Sequence, residues 1–203
     1  MKLTENIELI DGTMANCYSV NLNGKGILID AGMKSSGRKI VEFYRNLGVN
    51  PEIVLITHYH PDHVGGLLLV SEEFHPQIYV PDEELDVVAG NSRMTPAPGF
   101  AAKLVSSLLK SKPVSDLNLV SKLNLPGVQV IDTKGHTPAS TSYFFPDFKA
   151  LFVGDALVTK GKEITLNKAF TLNLEDAERS KAKIMGFHGV TIYPGHGNSL
   201  LLP

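Results

Sequence analysis

Three histidines and an aspartate fall within six consecutive positions of the stretch ITHYHPDHVGG: His58, His60, Asp62 and His63. Imidazole nitrogen and carboxylate oxygen are the usual ligands of zinc and similar cations, and a merely solvated loop has no reason to select imidazole three times around an aspartate. Side chains at 58 and 60 in an extended exit point the same way and can grip one ion, whereas Pro61 turns the chain and redirects Asp62 and His63. The spacing therefore predicts two ions rather than one. Each ion needs further ligands, and His136, Asp155 and His196 supply three. Asp155, with two carboxylate oxygens, is the natural bridge between the metals. Of the seven histidines, His75 and His188 lie apart from these places and are read as ordinary surface or core residues.

These residues stand just past apolar runs: EIVLIT leads to His58, VQVIDTKG to His136, ALFVG to Asp155 and VTIYPG to His196. Strand ends are rigid mounts for chemistry, so four strands are expected to converge on one edge. Upstream, IELID, CYSVNL and GILIDAG, separated by Gly, Asn and Asp, read as strands of a small antiparallel sheet. SSGRKIVEFYRNLG places Ile40, Val41, Phe43, Tyr44 and Leu47 at helical spacing and stops at Gly48. The Gly65–Gly66 pair and LLLV predict a turn and a helix. Residues from about 82 to 125, rich in Leu, Ser and Lys with proline breaks, read as a helical insertion within one domain spanning 1–203. The last third returns to strands, VQVID, TSYFF, ALFVGD and VTIYPG, with a helix around LEDAERSKAKIMG. Strands and helices in both halves predict an α/β sandwich of two similar lobes.

A chain of 203 residues is a comfortable size for one domain, and 43% apolar with 20% charged residues is the balance of an ordinary globular protein. A formal net charge of −2 and no run of five Lys or Arg give no attraction to a polyanion, so no nucleic acid partner is expected. The opening MKLTENIELIDG has no apolar signal core, and no stretch approaches the roughly 18 apolar residues of a membrane span, so neither export nor a membrane is expected. One cysteine, Cys17, permits no intrachain disulfide, which fits a reducing compartment and a cytoplasmic address. A small-molecule substrate is the expected partner.

THYHPDH at 57–63, GHT at 135–137, GDA at 154–156 and GHG at 195–197, preceded by LIDAG at 28–32, resemble in order and context the metallo-β-lactamase superfamily over nearly the whole chain. The resemblance implies a four-layered αββα sandwich with two metals at one edge of the sheets. It implies that His58, His60 and His136 hold the first metal, that Asp62, His63 and His196 hold the second, and that Asp155 bridges. Asp30 matches an acidic position that in the family supports the ligand loop by hydrogen bonding; a turn aspartate before Ala-Gly is its other reading. True β-lactamases usually carry Cys or Ser where this chain has Asp155, and RNA-processing members are larger or carry an RNA-binding arm. Glyoxalase II, related thioesterases and lactonases share the bridging aspartate. Only GNSLLLP follows His196, where many glyoxalase II enzymes have a helical tail, so a thioesterase built on this chain would be of short type or use another acyl carrier.

The leading expectation is a hydrolase that attacks a carboxylic ester-type bond, thioester or lactone, with a hydroxide held between two divalent metals. Zinc comes first, and the same ligands accept iron or manganese. Metal binding lowers the pKa of water from about 15.7 toward about 7, which removes the need for a serine or cysteine nucleophile. Asp62 would orient the hydroxide or pass its proton to the leaving group. A persulfide dioxygenase-like mononuclear iron enzyme, with His58, His136 and Asp155 as its triad, is the alternative, followed by a phosphodiesterase and a metal-retaining binding protein. Lys160 and Lys162 stand where some relatives place basic substrate contacts, and solvent-facing lysine is their other reading. Arg93, Met94 and Phe100, at the proline-rich bend, are expected to overhang the metals and set specificity.

Overall fold

In the computed structural model, which describes residues 1–96 and 112–203, the early apolar runs form three strands. They are β1 (Ile7–Ile10), β2 (Cys17–Leu22) and β3 (Lys25–Ile29), paired antiparallel with Ile7 opposite Val20 and Tyr18 opposite Ile29. Next come α1 (Gly37–Leu47), β4 (Ile53–Leu55), α2 (Pro61–Val64), α3 (Leu67–Phe74) and β5 (Gln77–Val80). Strands β3, β4 and β5 run parallel, and parallel neighbours require crossovers, which α1 and then α2–α3 provide. Helix α1 buries Ile40, Val41 and Tyr44, whereas Leu47, placed on the apolar face by its spacing, is 45% exposed.

Phe100 and the middle of the 82–125 segment lie outside the described residues. Its described part holds a 3-10 turn at Asp82–Glu84, α4 (Leu85–Val88), β6 (Leu117–Leu119) and a second 3-10 turn at Val120–Lys122. Strand β6, which the helical reading does not include, pairs parallel with β5 and completes a six-stranded sheet in the order β1-β2-β3-β4-β5-β6. This sheet and its helices make one compact unit, residues 1–93 with 112–123; residues 94–96 group with 124–203 in a second.

The second unit contains β7 (Gln129–Asp132), β8 (Thr141–Phe145), β9 (Ala150–Gly154), a hairpin of β10 (Val158–Lys160) and β11 (Glu163–Thr165), α5 (Leu174–Met185), β12 (Thr191–Pro194) and β13 (Leu200–Leu201). Its sheet has the order β13-β12-β9-β8-β7, with β9 and β12 parallel and the other pairs antiparallel. Leu151, Val153, Ile184, Ile192 and Leu202 form a dry core beneath α5, each at most 1% exposed. Burying one such side chain contributes about 2 kcal/mol. The hairpin β10–β11 and strands β5 and β13 escape the sequence patterns, since runs of two to four residues carry too little alternation. No helix among the described residues is long and apolar enough to cross a membrane.

Candidate metal centre

Strand β4 ends at Leu55, and the chain leaves it through Thr57 into His58, Tyr59 and His60, then turns into α2, whose first residue is Pro61. Proline suits the first turn of a helix, where its missing N–H is not needed. Asp62 and His63 therefore ride on the helical turn while His58 and His60 precede it, as their spacing predicts. The turn is pressed close to the backbone after β3: Ala31 N–H donates to His63 O at 2.7 Å, and Gly66 N–H donates to Gly32 O at 3.1 Å. A Cβ on Gly66 would lie 2.3 Å from Ala31 O, so the glycine after HVG is required by this approach.

Asp30, 1% exposed and at φ 57°, organises these imidazoles. Its Oδ1 accepts from Thr57 N–H at 2.8 Å, and its Oδ2 accepts from Thr57 Oγ1 at 2.8 Å. The same Oδ2 lies 2.7 Å from His63 Nδ1. A carboxylate oxygen only accepts, so His63 carries its proton on Nδ1 and keeps the Nε2 lone pair. Thr57 Oγ1 has given its proton to Asp30, so it accepts from His58 Nδ1 at 3.1 Å, which likewise reserves His58 Nε2. His58 Nε2 then meets His60 Nδ1 at 3.1 Å, and His63 Nε2 lies 3.9 Å from Asp62 Oδ2. His58 and His63 are fully buried, and the Asp62 side chain is 23% exposed. Both readings of Asp30 thus hold together, since the turn residue is also the support of the ligand loop.

In the second unit, His136 follows β7 by four residues and is 1% exposed. Its loop is held by the start of α5: Asn173 N–H donates to Gly135 O at 2.9 Å, and Leu172 N–H to His136 O at 3.2 Å. Ser140 Oγ accepts from Thr137 N–H at 3.0 Å on the other side. Asp155 follows β9 directly, and His196 follows β12 by two residues. Because β9 and β12 are parallel neighbours, their exits share one edge, and Gly195 N–H donates to Gly154 O at 2.7 Å. Thr159 of β10 fastens the His196 loop, its N–H donating to His196 O at 3.1 Å and its Oγ1 to Asn198 O at 2.7 Å. At Gly197, φ 96°, an added Cβ would lie 2.1 Å from Thr159 O.

Asp155 Oδ2 stands 3.6 Å from His136 Nε2 and 3.5 Å from His196 Nε2. These separations exceed a hydrogen bond. They match the edge of a ligand tetrahedron, about 3.4 Å for metal–ligand distances of about 2.1 Å. Histidine and carboxylate groups suited to a metal ion are therefore present in both units, and the donor set fits such an ion. Burial, then the charge of Asp30, pushes the Cys17 thiol well above the usual range, so it stays protonated at neutral pH.

His75 caps α3 in the left-handed conformation, and His188, exposed, lies with Nδ1 2.8 Å from Pro203 O; neither joins these groups. Lys160, Lys162 and Arg93 are exposed, and Met94 is half-buried. Two supporting residues escape the reading of the sequence. Thr57 lies inside the quoted THYHPDH yet gives no sign of its relay. Glu84, fully buried, accepts from Tyr59 N–H at 2.6 Å, and nothing in PDEEL separates it from its exposed neighbour Glu83.

Residues 10–196 match the family model of the metallo-beta-lactamase superfamily. The chain is 29% identical over 213 residues to the probable metallo-hydrolase YflN of Bacillus subtilis, covering 91% of this chain and 81% of that protein. It is 26% identical to the hydroxyacylglutathione hydrolase GloC of Haemophilus influenzae, covering 77% of this chain and 74% of the relative. Among solved structures, the di-iron-bound form of TTHA1623 superposes with a TM-score of 0.76 at 22% identity, covering 96% of this chain and 93% of the other. At that identity the superposition establishes the fold, and the α/β sandwich expected from the sequence is the fold found. The matched range includes every candidate ligand residue at the strand exits, and the chain belongs to the metallo-β-lactamase superfamily.

Proposed function

We propose that this protein is a dinuclear metal-dependent hydrolase of a carboxylic ester-type bond in a small molecule, with a thioester or lactone as substrate class. The observation that carries the reading is Asp155 Oδ2, poised at 3.6 and 3.5 Å from two imidazole nitrogens on different strand exits. A carboxylate so placed suits a bridging ligand. In this reading His58, His60 and His136 hold one ion, Asp62, His63 and His196 hold the other, and Asp155 is shared. Two such ions supply a water-derived nucleophile at neutral pH and a Lewis acid for the developing carbonyl charge. The chain's own residues do the rest. Asp30 keeps His63 directly, and His58 through Thr57, in the tautomer that presents Nε2. Asp62, the more exposed carboxylate at 23%, would orient the attacking water or take up its proton and pass it to the leaving group. The relative named as a hydroxyacylglutathione hydrolase supports the thioester class. Zinc is the proposed metal, with iron and manganese open to the same donors, and the cytoplasm is the proposed address.

The test is metal analysis of protein purified without added metal, followed by turnover of thioesters, lactones, β-lactams and phosphodiesters. Two equivalents of divalent metal and hydrolysis of a thioester or lactone are expected. A single iron with oxygen uptake, or no bound metal and no activity on metal addition, overturns the reading.

A further inference from the structure

We infer that Glu84 is a positioning residue for the His58–His60 pair, acting through the backbone of Tyr59; this rests on the metal-centre reading above. The sheet ladder supports β4 only as far as its end. Asp30 N–H donates to Leu55 O at 3.0 Å, and Ile56 N–H to Tyr79 O at 3.0 Å. Beyond that point the ligand loop is buried, with His58 at 0% and Tyr59 at 3% exposure, so its amides need hydrogen-bond partners. Two carboxylates take over, one from the exit of each strand flanking β4. Asp30, one residue past β3, accepts from Thr57 N–H at 2.8 Å. Glu84, four residues past β5 and itself 0% exposed, accepts from Tyr59 N–H at 2.6 Å.

Tyr59 lies between the two histidines, so the peptide that sets the direction from His58 to His60 is held by this bond. At 2.6 Å, to an acceptor that is itself fully buried, this short hydrogen bond makes a stiff strut. Its neighbour Glu83 is exposed and takes no part. The bond also joins the ligand loop to the 3-10 turn at Asp82–Glu84.

The experiment compares wild type, Glu84→Gln, Glu84→Ala and the control Glu83→Gln, each reconstituted with cobalt(II). The visible ligand-field spectrum, the cobalt affinity and the far-ultraviolet circular dichroism of the metal-free protein are recorded. Glu84→Ala is expected to lower affinity by roughly 10- to 100-fold and to change the spectrum. Glu84→Gln, which retains an oxygen to accept from Tyr59 N–H, restores the wild-type spectrum with affinity within about threefold, and Glu83→Gln is unchanged. A folded Glu84→Ala protein with wild-type spectrum and affinity overturns the inference. So does a folded Glu84→Gln protein with a loss beyond tenfold, which decides the matter even if Glu84→Ala does not fold. Failure of the wild type itself to bind cobalt overturns the metal-centre reading instead.

Discussion

Asp30 occupies a left-handed backbone conformation, φ 57°, at a cost of about 1–2 kcal/mol for a residue with a Cβ. Three hydrogen-bond donors on its carboxylate offset that cost and dictate which nitrogen His58 and His63 present. Cys17 is fully buried and feels the charge of Asp30. Its thiol is raised first by burial and then by the charge of Asp30, so the folded state holds the proton after the unfolded chain, with a thiol pKa of about 8.5, has lost it. A raised folded-state pKa contributes stability that is full below the unfolded value and is lost as pH rises beyond it. Above about pH 8.5, wild-type stability is therefore expected to fall more steeply with pH than that of Cys17→Ala. Urea denaturation of the metal-free proteins at several pH values checks this; parallel slopes count against it.

At the scale of elements, the strand exits and the start of α5 bear the site. Asn173 is the N-cap of α5, its side-chain oxygen accepting from Asp176 N–H at 3.1 Å, while its own N–H and that of Leu172 hold the Gly135–His136 carbonyls. Asn173→Ala is expected to lower stability by about 1 kcal/mol, and Asn173→Asp also to fall below wild type because its carboxylate would face Asp176 Oδ2, to which Asn173 Nδ2 donates at 2.7 Å, as read from denaturation midpoints. Removal of Arg45, whose ion pair with Glu73 joins α1 to α3, should by contrast change little, because its side chain is 61% exposed and such pairs contribute at most about 1 kcal/mol. Elements that merely brace the surface and elements that hold a ligand loop are thus separable by mutation.

For the molecule as a whole, metal bound as proposed favours the folded state, so metal loading should raise thermal stability. An ion present at about 100 times its Kd adds about 2.7 kcal/mol. For a chain of this size each kcal/mol shifts Tm by about 2–4 °C. Two ions at that excess together add about 5.4 kcal/mol, so treatment with a chelator is expected to lower Tm by about 10–20 °C in calorimetry, with recovery on adding zinc or iron. A Tm indifferent to both would count against a structural share for the metals.

The residue types at 58, 60, 62, 63, 136, 155 and 196 and their place after apolar runs were legible in the sequence, because ligand chemistry and strand periodicity are both local properties. So were α1, the longer strands and the Pro61 turn. The 97–111 stretch, with Phe100, lies outside the described residues. Tertiary structure alone decided the relay from Asp30 through Thr57 to His58, the Glu84 strut, the placement of Thr159 against His196, and the strand at Leu117–Leu119. Each joins residues roughly 25 to 40 positions apart through a hydrogen bond or a strand pairing, and such partners are chosen by packing, on which the order of side chains along the chain is silent.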